Sequence, residues 1–71
     1  MLGHYINLTD REKDVLQLIP SGMTSKEMAQ VLGVVEKTVE YHLSNLYSKT
    51  DTHNKVQLLR YAMQNNLLND S

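Results

Sequence analysis

The sequence predicts an all-α domain of four helices, and three observations support this fold class. Two capping boxes, Thr9-x-x-Glu12 and Thr24-x-x-Glu27, each open a run of apolar residues at helical spacing. Gly33 ends the second of these runs, and a longer helical pattern begins a few residues later. No stretch shows the alternation of apolar and polar residues that is typical of strands.

Length and composition limit the class of protein. The chain has 71 residues, which allows one small domain. A core of this size supplies only about 3–5 kcal/mol, so the domain must pack efficiently or dimerise. The chain has no Cys, which excludes disulfides and thiolate zinc sites and fits a reducing, cytoplasmic setting. No apolar run approaches the roughly 20 residues that span a bilayer, and no signal peptide is evident, so we expect no membrane partner.

The first helix is expected to begin after Thr9 and to end at Pro20. Asp10 and Glu12 lie where the helix dipole favours negative charge, and Leu8 is placed as a hydrophobic staple. Pro20 ends the helix because its ring clashes with the carbonyl four residues back. Residues 1–7 are predicted to be a flexible lead-in to a domain that covers residues 8–66.

The second and third helices are predicted at about residues 25–32 and 36–49. Two helices joined by a tight turn containing Gly are typical of the helix-turn-helix, in which the second helix can enter a DNA major groove. The third helix has two stripes at helical spacing. The inner stripe consists of Val39, His42, Leu43 and Leu46. The outer stripe consists of Lys37, Glu40, Tyr41, Ser44 and Ser48.

A fourth helix is predicted at about residues 55–66, with Thr52 or Asn54 as its cap. Its apolar residues cover more than one face, which indicates either full burial or a shared contact with a partner. The residues expected at a dimer contact are Leu58, Tyr61 and Ala62. Residues 67–71 are predicted to form a tail.

These motifs, in this order, resemble the LuxR/GerE-type DNA-binding domain of bacterial transcription regulators. The matching runs are Leu8-Thr9-x-Arg11-Glu12, Lys26-Glu27-Met28-Ala29-x-x-Leu32 and Thr38-Val39-x-x-His42-x-x-Asn45-Leu46-x-x-Lys49, with Gly22 between the first two. The resemblance implies a four-helix domain, DNA reading by the third helix and dimerisation through the fourth. Such domains usually form the C-terminal output part of a longer regulator, such as a response regulator, although free-standing members of about this size exist.

Five residues depart from the family pattern. Glu40 stands where members commonly carry a Lys that contacts DNA, and Tyr41 occupies the next groove position. Ser44 stands where Lys or Arg is frequent. Val35 replaces the usual capping Ser, which should cost about 1 kcal/mol. Thr50 replaces a Leu, which is expected to weaken the core locally.

The sequence thus predicts double-stranded DNA as the partner, bound by a homodimer, with a sensor or receiver domain missing in front of the chain. The residues expected at the DNA are Thr24, Ser25, Lys26, Lys37, Thr38, Glu40, Tyr41, Ser44, Asn45, Lys49 and Lys55. The lysines would neutralise phosphates, and the hydroxyls at helix starts suit phosphate oxygens. A net charge of −1 argues mildly against nucleic acid and predicts weak nonspecific binding.

Three alternatives stay open. Glu40 either accepts a hydrogen bond from cytosine or is a solvated charge paired with Lys37. Tyr41 contacts either a base or another protein. The whole module is either a DNA reader or a helix-turn-helix reused for protein contact, which the acidic residues on the third helix would favour.

Catalysis and metal binding are not expected. The three histidines show no metal-ligand spacing, and His42 is interpreted as a core residue. No Ser, His and acid set and no Gly-rich phosphate loop is present, so the sequence predicts a protein without enzymatic activity or cofactor.

Overall fold

The structure, a computed structural model, describes residues 6–68 and contains four α-helices and one short 3-10 helix in that range. The α-helices are α1 (Asp10–Leu18), α2 (Ser25–Leu32), α3 (Glu36–Thr50) and α4 (Lys55–Gln64), and the 3-10 helix covers Ile19–Ser21. No strand occurs between residues 6 and 68. The predicted all-α, four-helix class is therefore confirmed. Most of the predicted lead-in, residues 1–5, and residues 69–71 lie outside the described residues.

Both predicted capping boxes are present. Thr9 Oγ1 accepts from the N–H of Glu12 at 3.1 Å, and the Glu12 carboxylate accepts from the N–H of Thr9 at 3.0 Å. Thr24 and Glu27 repeat this exchange at 3.1 and 2.9 Å. Gly33 ends α2 with a φ of 71°, the left-handed conformation that an L side chain disfavours. The local chemistry of the helix starts therefore fixes where α1 and α2 begin.

The core forms where α3 packs against α1 and α2. The buried apolar residues are Val15, Leu16, Ile19, Met28, Ala29, Val39, Leu43, Leu46, Leu58 and Ala62. Pro20 lies in the 3-10 turn that follows α1, so the helix ends near the predicted position. The buried apolar residues of α3 are those of the predicted inner stripe, in which His42 is only half-buried.

Thr50, the last residue of α3, is buried without leaving its hydroxyl unpaired. Its Oγ1 donates to the carbonyl of Leu46 at 2.8 Å and lies 2.8 Å from the Oγ1 of Thr52, which is also buried. Since the Thr50 proton is used on Leu46, the Thr52 hydroxyl is the donor between the two side chains. Thr50 is thus accommodated by a small buried hydroxyl network rather than by apolar packing.

The last described residues, 65–68, differ from the prediction in two ways. α4 ends at Gln64, and Asn66 turns the backbone with a φ of 55°. The chain then folds back, since the Leu67 N–H donates to the Ala62 carbonyl and Gln17 Nε2 donates to the Leu67 carbonyl, both at 2.9 Å. Leu67 and Leu68 pack against the core. These two residues, which were assigned to a tail, are therefore half-buried by this return.

Candidate nucleic-acid interface

The outer face of α3 forms an exposed polar ridge. We define the ridge as the five residues Lys37, Glu40, Tyr41, Ser44 and Ser48, all of which are exposed. The opposite face holds α3 in place, because Val39, Leu43 and Leu46 are almost fully buried. Helical spacing alone therefore separates the residues that anchor α3 from those that it presents to solvent.

The start of α3 leaves backbone donors available. Val35 provides no side-chain cap, as predicted, and its carbonyl accepts from the N–H groups of Thr38 and Val39 at 3.0 and 3.4 Å. The N–H groups of Glu36 and Lys37 have no acceptor within the described range. The first turn of α3 thus combines free N–H groups with one exposed Lys, while Thr38 is half-buried.

Lys37 and Glu40 are not paired, although they lie one turn apart. Among residues 6–68 the ion pairs are Arg11–Asp14 at 3.6 Å and Glu12–Lys49 at 2.6 Å. The interpretation of Glu40 as the helical-neighbour partner of Lys37 is therefore wrong for this structure. Beside Glu40, the ring centroids of Tyr41 and His42 lie 5.5 Å apart, and Tyr41 remains 64% exposed.

Lys49, which was expected at the DNA backbone, has partners within the protein. Its Nζ lies 2.6 Å from Glu12 Oε1 and donates to the carbonyl of Asn7 at 2.9 Å. The Glu12 side chain is 3% exposed, so its carboxylate needs this partner. Burial alone would raise the pKa of Glu12, but the hydrogen bonds from Lys49 and Thr9 and the positive charge of Lys49 hold it below its usual value.

The remaining expected contacts lie at the start of α2, within α3 and at the start of α4. Lys26 is exposed and unpaired in the part of the chain that the structure describes, and Thr24 is exposed beside it. Ser25 and Asn45 are half-buried. Lys55 is half-buried and donates to the Met23 carbonyl at 3.2 Å, so its ammonium, like that of Lys49, is already engaged.

The surface of α4 differs from the prediction. Leu58 and Ala62 are 0% exposed and belong to the core, so they offer no surface to a partner, and Tyr61 is half-buried. The assignment of Leu58 and Ala62 to a dimer contact was wrong because the fold of the single chain already covers them. The apolar residues that α4 exposes are Val56 at 65% and Met63 at 61%, seven positions apart and so on one face.

The residues that the structure describes form neither a metal-binding cluster nor a membrane-spanning helix. Between residues 6 and 68, no three His, Cys, Asp or Glu side chains come together in a way that could hold a metal ion. Within the same range, every helix is too short or too polar to cross a bilayer.

The family model of "Bacterial regulatory proteins, luxR family" matches residues 6–62. The matched segment includes α1, α2, α3 and most of α4, and so contains the ridge and the helix that braces it.

Individual relatives agree with this match. The chain is 42% identical over 69 residues to the probable transcriptional regulator ycf29 of Pyropia yezoensis, covering 97% of this chain and 31% of that protein. It is 39% identical over 64 residues to the response regulator protein VraR of Staphylococcus aureus, covering 90% of this chain and 31% of VraR. The chain thus spans about a third of the length of these curated relatives.

A solved structure of similar size has the same fold. The transcription factor GerE superposes with a TM-score of 0.79 at 30% identity, and the match covers 86% of this chain and 91% of GerE. The resemblance found in the sequence therefore extends to the three-dimensional arrangement of the helices.

Proposed function

The chain belongs to the luxR family of bacterial regulatory proteins, the DNA-binding domains of transcription regulators, and we propose that it binds double-stranded DNA with α3 in the major groove. The exposed ridge of α3 is the observation that carries this proposal. A helix held by its apolar face and free along its polar face has the form that a groove about 12 Å wide admits. The domain is not an enzyme, since its family is one of transcription-regulator domains.

In the proposed complex with α3 in the major groove, the residues that would contact DNA fall into two groups. Lys37, Glu40, Tyr41 and Ser44 on α3 would face base edges or the phosphates beside them. Thr24, Ser25 and Lys26 at the start of α2, with Thr38 and Asn45 on α3, would hold the sugar-phosphate backbone and fix the register. Exposure and the lack of ion pairs within residues 6–68 support Lys26 and Lys37 above Lys49 and Lys55, the other two lysines expected at the DNA.

We assign Lys49 and Lys55 to the fold rather than to the DNA. The ammonium of Lys49 serves Glu12 and the Asn7 carbonyl, and that of Lys55 serves the Met23 carbonyl. Moving Lys49 to a phosphate would leave a buried carboxylate unpaired, which is costly. Few free lysines and a net charge of −1 predict weak nonspecific affinity and a shallow salt dependence.

Fluorescence anisotropy with a labelled mixed-sequence duplex, measured over a series of salt concentrations, tests the proposal. We expect binding that weakens with salt, and we expect Lys37→Ala to reduce the slope of log K against log salt by about 0.9. Lys13→Ala is the matched control, because Lys13 is an exposed lysine on α1. Absence of salt-dependent binding at high protein concentration would overturn the proposal.

A second candidate function is protein contact through the same ridge. The exposed ring of Tyr41 and the carboxylates of Glu36 and Glu40 favour it, since Tyr is enriched at protein interfaces. In that case Lys37→Ala and Lys13→Ala would affect the anisotropy titration equally or not at all. If Lys37→Ala lowers the slope of log K against log salt and Lys13→Ala does not, the result would favour DNA binding by the ridge.

We also propose that the domain pairs with a second copy through Val56 and Met63, the exposed apolar residues of α4. Two half-sites on DNA would then be read by two copies of α3 related by a two-fold axis. The sensor or receiver domain expected in front of residue 1 and the bacterial cytoplasmic location stay predictions.

A further inference from the structure

Glu40 is a carboxylate in the middle of the ridge that has no side-chain partner among residues 6–68. It is exposed, and within residues 6–68 it takes part in neither an ion pair nor a side-chain hydrogen bond. Resting on the proposed function, we propose that Glu40 reads a cytosine by accepting a hydrogen bond from its exocyclic 4-amino group.

No ion pair within residues 6–68 accounts for a charge at this position. Glu36 lies in the first turn of α3, where free N–H groups and the helix dipole stabilise a carboxylate. Glu40 lies one turn further along, beyond the reach of those groups, and Lys37 is not paired with it. Nothing in the described part of the domain is stabilised by the negative charge of Glu40.

The chemistry of the base edges selects cytosine. In the major groove, guanine presents two acceptors and thymine presents an acceptor and a methyl group, and each acceptor repels a carboxylate. Adenine presents an amino donor, but its N7 acceptor lies beside that donor. Cytosine presents only the 4-amino donor, so it is the one base whose edge a carboxylate can approach without meeting an acceptor on that base.

The phosphates on either side of the groove repel Glu40 whatever the base sequence. A carboxylate here therefore lowers affinity for every duplex and recovers it only where a cytosine amino group meets it. Glu40 thus acts as a specificity-determining residue: it reduces binding to wrong sequences more than it raises binding to the right one.

Selection from a pool of random duplexes tests this assignment. The unchanged protein is expected to enrich sequences with a cytosine at one fixed position of each half-site. With Glu40→Gln, whose amide can both donate and accept, we expect adenine at that same position. Asp10→Asn, which removes an exposed carboxylate on α1, serves as the control for net charge and should keep the cytosine.

A direct measurement then isolates the hydrogen bond. In the selected duplex, the cytosine is replaced by 2-pyrimidinone, which lacks the 4-amino group. The unchanged protein should lose about fivefold or more in affinity, while Glu40→Ala should bind both duplexes alike.

Two results would overturn the assignment, and they are distinguishable. If Glu40→Gln enriches the same motif and only binds it more tightly, Glu40 merely repels phosphates, and the proposed function stands without this inference. If the unchanged protein enriches no sequence and shows no salt-dependent binding, the proposed function fails and the assignment fails with it.

Discussion

Lys49 Nζ, in the last turn of α3, lies 2.6 Å from the carboxylate of Glu12, in the first turn of α1. The same ammonium donates to the Asn7 carbonyl, and the same carboxylate caps the Thr9 N–H. One ion pair thus ties together the C-terminal part of the proposed recognition helix, the start of α1 and the chain that enters the domain. The pair thus adds a polar link at the end of α3 to the apolar packing of Val39, Leu43 and Leu46.

Removing either member of this pair is expected to destabilise the domain. Glu12→Gln or Lys49→Met should lower the free energy of unfolding by about 1–3 kcal/mol, because a buried polar group then loses its charged partner. Urea denaturation followed by circular dichroism measures this. Asp14→Asn is the control: the Arg11–Asp14 pair is half exposed and 3.6 Å apart, so the change should stay within about 0.5 kcal/mol. Equal losses of unfolding free energy at the two ion pairs would show that the Glu12–Lys49 pair stabilises the domain no more than the exposed Arg11–Asp14 pair does.

Stability should also depend on pH through Glu12. The pKa of Glu12 is lower in the folded protein than in the unfolded chain, so its contribution is complete above the unfolded value of about 4.5 and is lost as the pH falls through the folded value. The difference in unfolding free energy between the unchanged protein and Glu12→Gln should therefore be largest near neutral pH and shrink in acid. Urea titrations at a series of pH values measure it, and a difference that grows in acid would contradict the assignment.

The contrast between the helix caps and the ion pair shows what the sequence can predict. Thr9, Thr24 and Gly33 act on residues a few positions away, so their patterns predicted the starts of α1 and α2 and the end of α2 correctly. Glu12 and Lys49 lie 37 positions apart, and their pairing needs the packing of α1 on α3 to be known. Lys49 was consequently expected at the DNA.

Which face of α4 is buried likewise depends on the packing of the whole domain. Its apolar residues cover more than one face, and periodicity alone does not decide which face the rest of the chain covers. The fold buries Leu58 and Ala62, which were expected at the dimer surface. It leaves Val56 and Met63 exposed instead. On α3 only one face is apolar, and the predicted exposure of the opposite face, the ridge, is confirmed.

A side-chain cap should stabilise α3. Val35 precedes the helix in an extended conformation, with a φ of −84°, and its side chain is 67% exposed, so it can be replaced without loss of packing. Val35→Ser should raise the free energy of unfolding by about 1 kcal/mol, because the hydroxyl can accept from a free N–H of the first turn. Val31→Ser, at an exposed position within α2, is the control and should give no gain. A gain of the same size at both positions would contradict the capping argument.

The effects of replacing the two buried threonines, Thr50 and Thr52, on the free energy of unfolding should not be additive. Thr50→Val removes the acceptor of the Thr52 hydroxyl and should cost about 1–2 kcal/mol, since a buried donor is left unpaired. In the double variant Thr50→Val, Thr52→Val both hydroxyls are gone, so much of that loss should be recovered. A double-mutant cycle from thermal or urea unfolding measures the coupling. Simple additivity of the two changes would show that the network in the structure does not contribute.

Pairing of two copies should depend on the face of α4 that Val56 and Met63 share. Placing a carboxylate there, as in Met63→Glu, would bury a charge in a two-fold contact, whereas the side chain of the isolated domain is exposed and tolerates the change. Sedimentation velocity at high protein concentration, with and without a duplex, should then show a dimer for the unchanged protein and a monomer for Met63→Glu. Gln64→Glu, the adjacent exposed position, adds the same charge beside this face and should keep the dimer. Circular dichroism must show both variants folded. A monomer for the unchanged protein on and off DNA would remove the dimer from the proposal, and dimers for both variants would place its contact elsewhere on the surface.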